Sequence, residues 1–242
     1  MSIPDAGQNH VGEIPFSVVV TAAGMGARMG GRKKPYLMIC GRTILSHTLD
    51  RLRRARGCVQ IIPVVHPDEY RQGALAEQLR AEFGVTELAC GGPTRQASAL
   101  AGLEMVRQDV DLVLIHDAVR PLVDPELVRR VAEAAQRFGA AIAAVPATET
   151  IKEVDGSGSI VATPSRDRLY YARTPQGFRK DLILRAHYAA RDAGFCGTDD
   201  VELVERLGEE ARVVEDTYEN LKITTEADLI LAEAILRGQQ AR

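Results

Sequence analysis

The sequence predicts an α/β fold in which helices cover both faces of a mostly parallel central sheet, with a β-hairpin arm projecting from it. Three observations carry that prediction. Short β-rich apolar runs alternate with stretches of helical periodicity along most of the chain. The runs are apolar throughout, the pattern of strands buried on both faces. The first of them, Val18-Val19-Val20, gives way at once to Ala22-Ala23-Gly24-Met25-Gly26 and then to Arg28 and Lys33-Lys34. That is how a buried strand hands over to a loop whose bare N–H groups can wrap phosphate.

In chain order the predicted strands are Phe16–Thr21, Val59–Val65, Val85–Cys90, Leu112–His116 and Ala140–Val145. Between them, Ile44–Arg56, Glu69–Phe83, Arg95–Val106 and Pro125–Phe138 carry apolar residues at helical spacing. Asp124-Pro125 reads as an N-cap followed by proline at the first helical position. Thr225-Glu226-Ala227-Asp228 reads as a capping box that opens a last helix, Ala227 to Leu236. One segment departs from the alternation. Thr150–Val154, the turn Asp155-Gly156-Ser157-Gly158, and Ser159–Thr163 spell a hairpin. A lone hairpin is not stable in water, so this one needs its own domain or a second subunit to pack on. Residues 1–14 read as a flexible polar tail, and 15–242 as one domain with the arm at about 146–168.

Composition narrows the function classes. With 242 residues, 45% hydrophobic and 26% charged, the chain is long enough for one large globular domain and is neither disordered nor fibrous. A formal charge of -3 argues against a general nucleic-acid binder, so an anionic ligand must meet a local group of cations. Cys40, Cys58, Cys90 and Cys196 form no C-x-x-C pair, which predicts buried free thiols and a cytoplasmic setting. No apolar run approaches the roughly 20 residues of a membrane span, and the first residues lack the pattern of a secretory signal.

The glycine loop fails two familiar motifs. A dinucleotide fingerprint requires glycine where Met29 stands, which argues against NAD. The P-loop requires Lys-Ser/Thr after its second glycine, and Gly31 is followed by Arg32-Lys33. The adjoining cations still favour polyphosphate.

The order A-A-G-x-G-x-R-M, a lysine and an aromatic-Leu pair resembles the nucleotidyltransferases that join a nucleotide to a phosphorylated sugar or polyol. Six further segments follow in the expected order: Gly91-Gly92-Pro93-Thr94-Arg95-Gln96-Ala97-Ser98, Ile115-His116-Asp117-Ala118-Val119-Arg120-Pro121, Thr150-Ile151-Lys152, Thr174-Pro175-Gln176-Gly177-Phe178, Thr198-Asp199-Asp200 and Asn220-Leu221-Lys222-Ile223-Thr224. Together, from about Val18 to Leu236, they resemble the 2-C-methyl-D-erythritol 4-phosphate cytidylyltransferase family of the non-mevalonate isoprenoid pathway. The resemblance implies a Rossmann-like nucleotidyltransferase fold, CTP and methylerythritol phosphate as substrates, Mg²⁺ or another divalent cation, and a homodimer formed through the arm. It implies that Arg28 and Lys34 stabilise the transition state, and that Arg166 and Lys222 hold the acceptor phosphate. Cytosine would lie against Ala22, Ala23, Gly24, Gly92, Pro93 and Ser98, with Met25 and Gly26 completing the nucleotide loop. Asp117, Arg120, Thr150, Thr174 and Thr198 would serve the acceptor, Thr150 and Arg166 reaching across the dimer interface. Asp117 could bind a substrate hydroxyl or support Mg²⁺; the metal ligands are not specified.

Independently of the resemblance, Asp117 ends a predicted buried strand, where α/β sheets place their ligands. Lys222 would lie opposite Leu221 and Ile223 if 220–224 is a strand. The chain departs from the family pattern in three places. Lys33-Lys34-Pro35 stands for the usual P-K-Q, so either lysine could be catalytic; alignment on Tyr36-Leu37 favours Lys34, which Pro35 should push out of the helical region. Pro93 stands for an aspartate, and Glu149-Thr150 for Asp-Thr. The competing readings are a cytidylyltransferase for another polyol phosphate such as ribitol 5-phosphate, a sugar-1-phosphate nucleotidyltransferase or molybdenum-cofactor guanylyltransferase, and a catalytically silent nucleotide-binding regulator.

Overall fold

The computed structural model describes residues 13–24 and 33–240, and every structural statement below refers to these. Most of the predicted tail, and Met25, Gly26 and Arg28 of the glycine loop, lie outside the described residues.

The first half of the chain builds the parallel part of the sheet. Strand β1 (Phe16–Thr21) is followed by the short hairpin β2 (Met38–Ile39) and β3 (Arg42–Thr43), helix α1 (Ile44–Arg53) and strand β4 (Cys58–Val65). Helices α2 (Pro67–Gln72) and α3 (Ala74–Phe83) then lead to β5 (Ala89–Cys90), α4 (Arg95–Leu103) and β6 (Leu112–Asp117). The second half adds α5 (Pro125–Phe138), β7 (Ala140–Pro146), the arm strands β8 (Glu153–Val154) and β9 (Ile160–Ala162), and β10 (Tyr170–Arg179). Helices α6 (Lys180–Asp192) and α7 (Asp200–Arg206), strand β11 (Arg212–Glu215) and helix α8 (Glu226–Gln240) complete it.

Seven strands form one sheet in the order β11-β7-β10-β6-β1-β4-β5. Every neighbouring pair is parallel except the two made by β10, which runs antiparallel to both β6 and β7. Val18 and Val20 point into a core shared with Leu45, Leu49, Val128 and Val131 from α1 and α5. Val19 points the other way, towards Ala99, Leu103, Ile183 and Ala186 from α4 and α6. The uninterrupted apolar run of β1 thus serves two cores, one on each face.

Several boundaries move for identifiable reasons. The predicted helix 69–83 is two helices because Gly73 takes φ +73°, a left-handed conformation that ends α2. Of the predicted strand 85–90 only Ala89 and Cys90 pair with β4. The short hairpin β2–β3 and two strands of the main sheet were not anticipated. Strand β10 contains Pro175, which marks against a central strand; its register shifts between Ala172 and Gln176, so the proline falls where the ladder is already broken. Strand β11 is a four-residue edge strand with charged ends. Residues 220–224 are not a strand: Ile223 N donates to Val119 O, but no ladder forms, although Ile223 is buried and Lys222 exposed as the alternation implied. The cysteines are not buried as expected; Cys40 and Cys58 are half-buried, and Cys90 and Cys196 exposed.

Both cap predictions hold. Asp124 accepts from Glu126 N, and Thr225 and Asp228 exchange side-chain-to-backbone bonds at the start of α8. The arm is a hairpin with strands of only two and three residues, closed by Asp155, whose carboxylate accepts from Ser157 N and Ser159 N.

Candidate active site

Strands β1, β4 and β6 run parallel, and their carboxyl ends open onto a cleft of about 780 Å³. One wall comes from the ends of β1 and β5. Ala22 N donates to Val64 O and Gly91 N to Val65 O, extending the sheet into the loops. Gly91 must be glycine there, because a Cβ would lie 2.3 Å from the Ala23 Cβ. Ser98, in the first turns of α4, accepts from Gly92 N at 3.1 Å and donates to Thr94 O at 2.9 Å. Ala22, Ala23, Gly24, Gly92, Pro93 and Ser98 all line this wall.

Asp117 forms the opposite side, and three cations surround its buried carboxylate. Lys222 Nζ lies 2.8 Å from Oδ2, Arg95 Nε 3.2 Å from Oδ1, and Arg120 Nε 3.8 Å from Oδ2. Burial alone would raise the Asp117 pKa, but Arg95, Lys222 and Arg120 outweigh it and hold the carboxyl well below the usual carboxylate range. Its neighbour His116 is fully buried, and desolvation pushes the imidazole down to about 4, so it is neutral at physiological pH.

Lys222 arrives from far along the chain through a buried network. Asn220 Nδ2 donates to Thr174 O at 3.0 Å and to Asp216 Oδ2 at 2.7 Å. Thr174 Oγ1 in turn accepts from Asp117 N at 3.0 Å and lies 3.1 Å from His116 Nδ1. Arg120 Nη1 donates to Asn220 O at 2.8 Å. Three separate sequence motifs are thus one hydrogen-bonded unit that sets Lys222 against Asp117. Thr174 and Arg120 stand behind the cleft in this unit and do not line it.

Of the two adjacent lysines, Lys34 lines the cleft and donates to Thr224 O at 3.0 Å. Lys33 is paired with Glu69 on α2. Pro35 does not exclude Lys34 from helical geometry, contrary to expectation: a three-residue 3-10 turn starts at Lys34, with Lys33 as the extended residue before it. The pre-proline bias is a preference, and the tertiary bond to Thr224 O accompanies its override here.

Three predicted residues lie elsewhere. Thr150 and Arg166 are exposed on the arm, where Arg166 Nη1 donates to Thr148 O at 2.6 Å. Thr198 is exposed and bonds to Glu202 at the start of α7. Two cleft residues with titratable side chains were not singled out from the sequence: Arg95, inside a quoted motif but given no role, and His66, which caps α2. Arg95 stands at the start of a helix beside a glycine pair, and that position was the available signal.

As for a metal, Asp117 is the one carboxylate among the described residues lining the cleft, and both its oxygens face cations. Among the described residues no group of three or more His, Cys, Asp or Glu is arranged to hold an ion. This donor set suits a Mg²⁺ that is carried mainly by phosphate oxygens and water, and not a resident protein cage.

A glycine-walled cleft at the carboxyl ends of parallel strands, ringed by cations in an acidic chain, belongs to a nucleotidyltransferase. The chain is a member of the 2-C-methyl-D-erythritol 4-phosphate cytidylyltransferase (IspD) family, whose family model matches residues 16–238. A protein of that name from Desulforamulus reducens is 42% identical over 224 residues, covering 90% of this chain and 94% of its own. The crystal structure of 4-diphosphocytidyl-2C-methyl-D-erythritol synthase from Anaerococcus prevotii superimposes with a TM-score of 0.83 at 32% identity, over 93% of this chain and 96% of that one. The cytidylyltransferase from Thermus thermophilus gives 0.75 at 36% identity, over 93% and 99%.

Proposed function

We propose that this chain transfers CMP from CTP to 2-C-methyl-D-erythritol 4-phosphate, releasing pyrophosphate. An oxygen of the acceptor phosphate attacks the α-phosphorus of CTP while the bond to the β-phosphate breaks. The nucleophile needs no general base, because a phosphomonoester with a second pKa of roughly 6 is already near a dianion at pH 7. What must be overcome is repulsion between two polyanions and the charge that accumulates in transfer.

The observation that carries this reading is the meeting of Lys222 and Asp117 in the same cleft as the glycine wall and Lys34. CTP would lie along Ala22, Ala23, Gly24, Gly92, Pro93 and Ser98, with its phosphates towards Lys34. The acceptor would take the Asp117 side, its phosphate drawing Lys222 away from Oδ2. A divalent cation bound with the triphosphate would offset charge on the β- and γ-phosphates. Arg166 and Thr150 would complete the acceptor site of a second subunit. The apolar exposure of the arm supports that arrangement, since Val154, Ile160 and Val161 are 54%, 63% and 57% exposed. The four free cysteines suit a reducing cytoplasm.

Pyrophosphate release with Mg²⁺ tests the assignment, each of the four nucleoside triphosphates being offered with methylerythritol phosphate, ribitol 5-phosphate and a sugar 1-phosphate. Turnover confined to CTP with methylerythritol phosphate is expected. Turnover with ribitol 5-phosphate alone would move the substrate, and no release with any pair would make the protein a silent binder.

A further inference from the structure

Behind the cleft lies a buried carboxylate that the reaction as described does not use. Asp200, the first residue of α7, is 1% exposed and lines no cleft wall. Two hydrogen bonds hold its position, and a third group lies beside it. Gln176 Oε1 accepts from Asp200 N at 3.1 Å, His187 Nε2 lies 3.3 Å from Oδ1, and Arg95 Nη1 lies 2.7 Å from Oδ2. The same Arg95 reaches forward with Nε to Asp117 Oδ1 at 3.2 Å. One guanidinium therefore joins a carboxylate inside the protein to the carboxylate of the cleft. A guanidinium suits this double contact because its donors are spread over a rigid plane, whereas an ammonium presents all of its donors from one atom.

We infer that Asp200 is a positioning residue that locks Arg95 against Asp117, and so frees Lys222 to serve the acceptor phosphate. The inference rests on the transferase reading above. Asp117 is buried and carries a full charge, so it must stay paired throughout turnover. Lys222, with a side chain 40% exposed, can change partner; Arg95 cannot, because Asp200 holds its other end. When the acceptor phosphate draws Lys222 away from Oδ2, Arg95 keeps Oδ1 neutralised. Without Asp200, Arg95 would no longer be held against Oδ1, and Asp117 would hold Lys222 more tightly. Nucleotide binding would survive and the transfer step would suffer.

The test compares Asp200→Asn, Arg95→Lys and the double variant in the full-length protein. Misplacing one group in a positioned site costs between about ten- and a hundredfold, so kcat is expected to fall by that range in each single variant. The dissociation constant for CTP, read by titration, should change less than about threefold, on the general ground that only an interaction special to transfer is removed. The double variant should be no worse than the weaker single, because the two residues act as one unit. A kcat within twofold of the parent in Arg95→Lys, or losses that multiply in the double variant, would overturn the inference. Arg95→Lys alters a side chain at the cleft surface and carries the test if Asp200→Asn does not fold. A parent with no turnover would instead overturn the transferase reading. The tether is then judged from the Arg95 Nε–H signal in an arginine-labelled NMR spectrum. It is expected to be protected in the parent and lost in Asp200→Asn; equal protection in both would rule the lock out.

Discussion

The cleft and the arm differ in almost every physical respect. At and behind the cleft, Asp117, Thr174 and Asn220 are buried, and Thr174 is hydrogen-bonded to both of the others. The arm has two strands of two and three residues, with every position from 152 to 168 exposed. The cleft cannot lose Asp117 or Asn220 without stranding buried charges or hydrogen-bonding groups, whereas the arm has little to lose within one chain. Low local stability of this kind is usual for parts whose partner lies elsewhere. The contrast teaches that one chain can hold one region by buried hydrogen bonds and leave another almost wholly exposed.

Changes that break the contrast should fall in a definite order. Asp117→Asn should be the most damaging, lowering stability in urea by about 3 kcal/mol through the unpaired cations it leaves, and abolishing turnover. Its pH signature has a fixed sign. A carboxyl held below its unfolded value of about 3.9 adds stability above that pH and loses it as pH falls through the lower folded value. The parent's advantage should therefore be constant between about pH 5 and 7 and shrink below about 4. Lys222→Ala should cost on the order of a hundredfold in pyrophosphate release, with the fold intact because the side chain is part-exposed. Asn220→Ala should lose about 1–3 kcal/mol of stability from its two buried hydrogen bonds, together with activity. Val161→Lys on the arm should leave unfolding of the isolated chain within about 0.5 kcal/mol of the parent. It should weaken self-association in sedimentation; a large loss of monomer stability would remove the contrast between the two regions.

Much of this was legible in the sequence. The β1 run, the Asp124 and Thr225 caps and the position of Asp117 at a strand end follow from local rules, and they are as expected. Strand β10 was hidden because Pro175 marks against a strand, and only the pairing with β6 and β7 shows that it sits at a break in the ladder. The bond between Lys222 and Asp117 was not legible, since nothing local says that Asn220 will dock on Thr174. The double pairing of Arg95 was missed for a similar reason: its two carboxylates lie on β6 and α7, and neither is near it in sequence. Where the site depends on one residue's own surroundings the sequence is informative; where it depends on who meets whom, the fold is needed.

The central claim, that one subunit's cleft works with the other's arm, is tested most directly by mixing two inactive variants. Lys222→Ala is expected to spoil the cleft and Arg166→Ala the arm. Mixed and allowed to exchange subunits, they should recover about a quarter of the parental rate, since half the dimers are mixed and each then keeps one whole site. No recovery, with subunit exchange verified, would mean that each arm serves its own cleft.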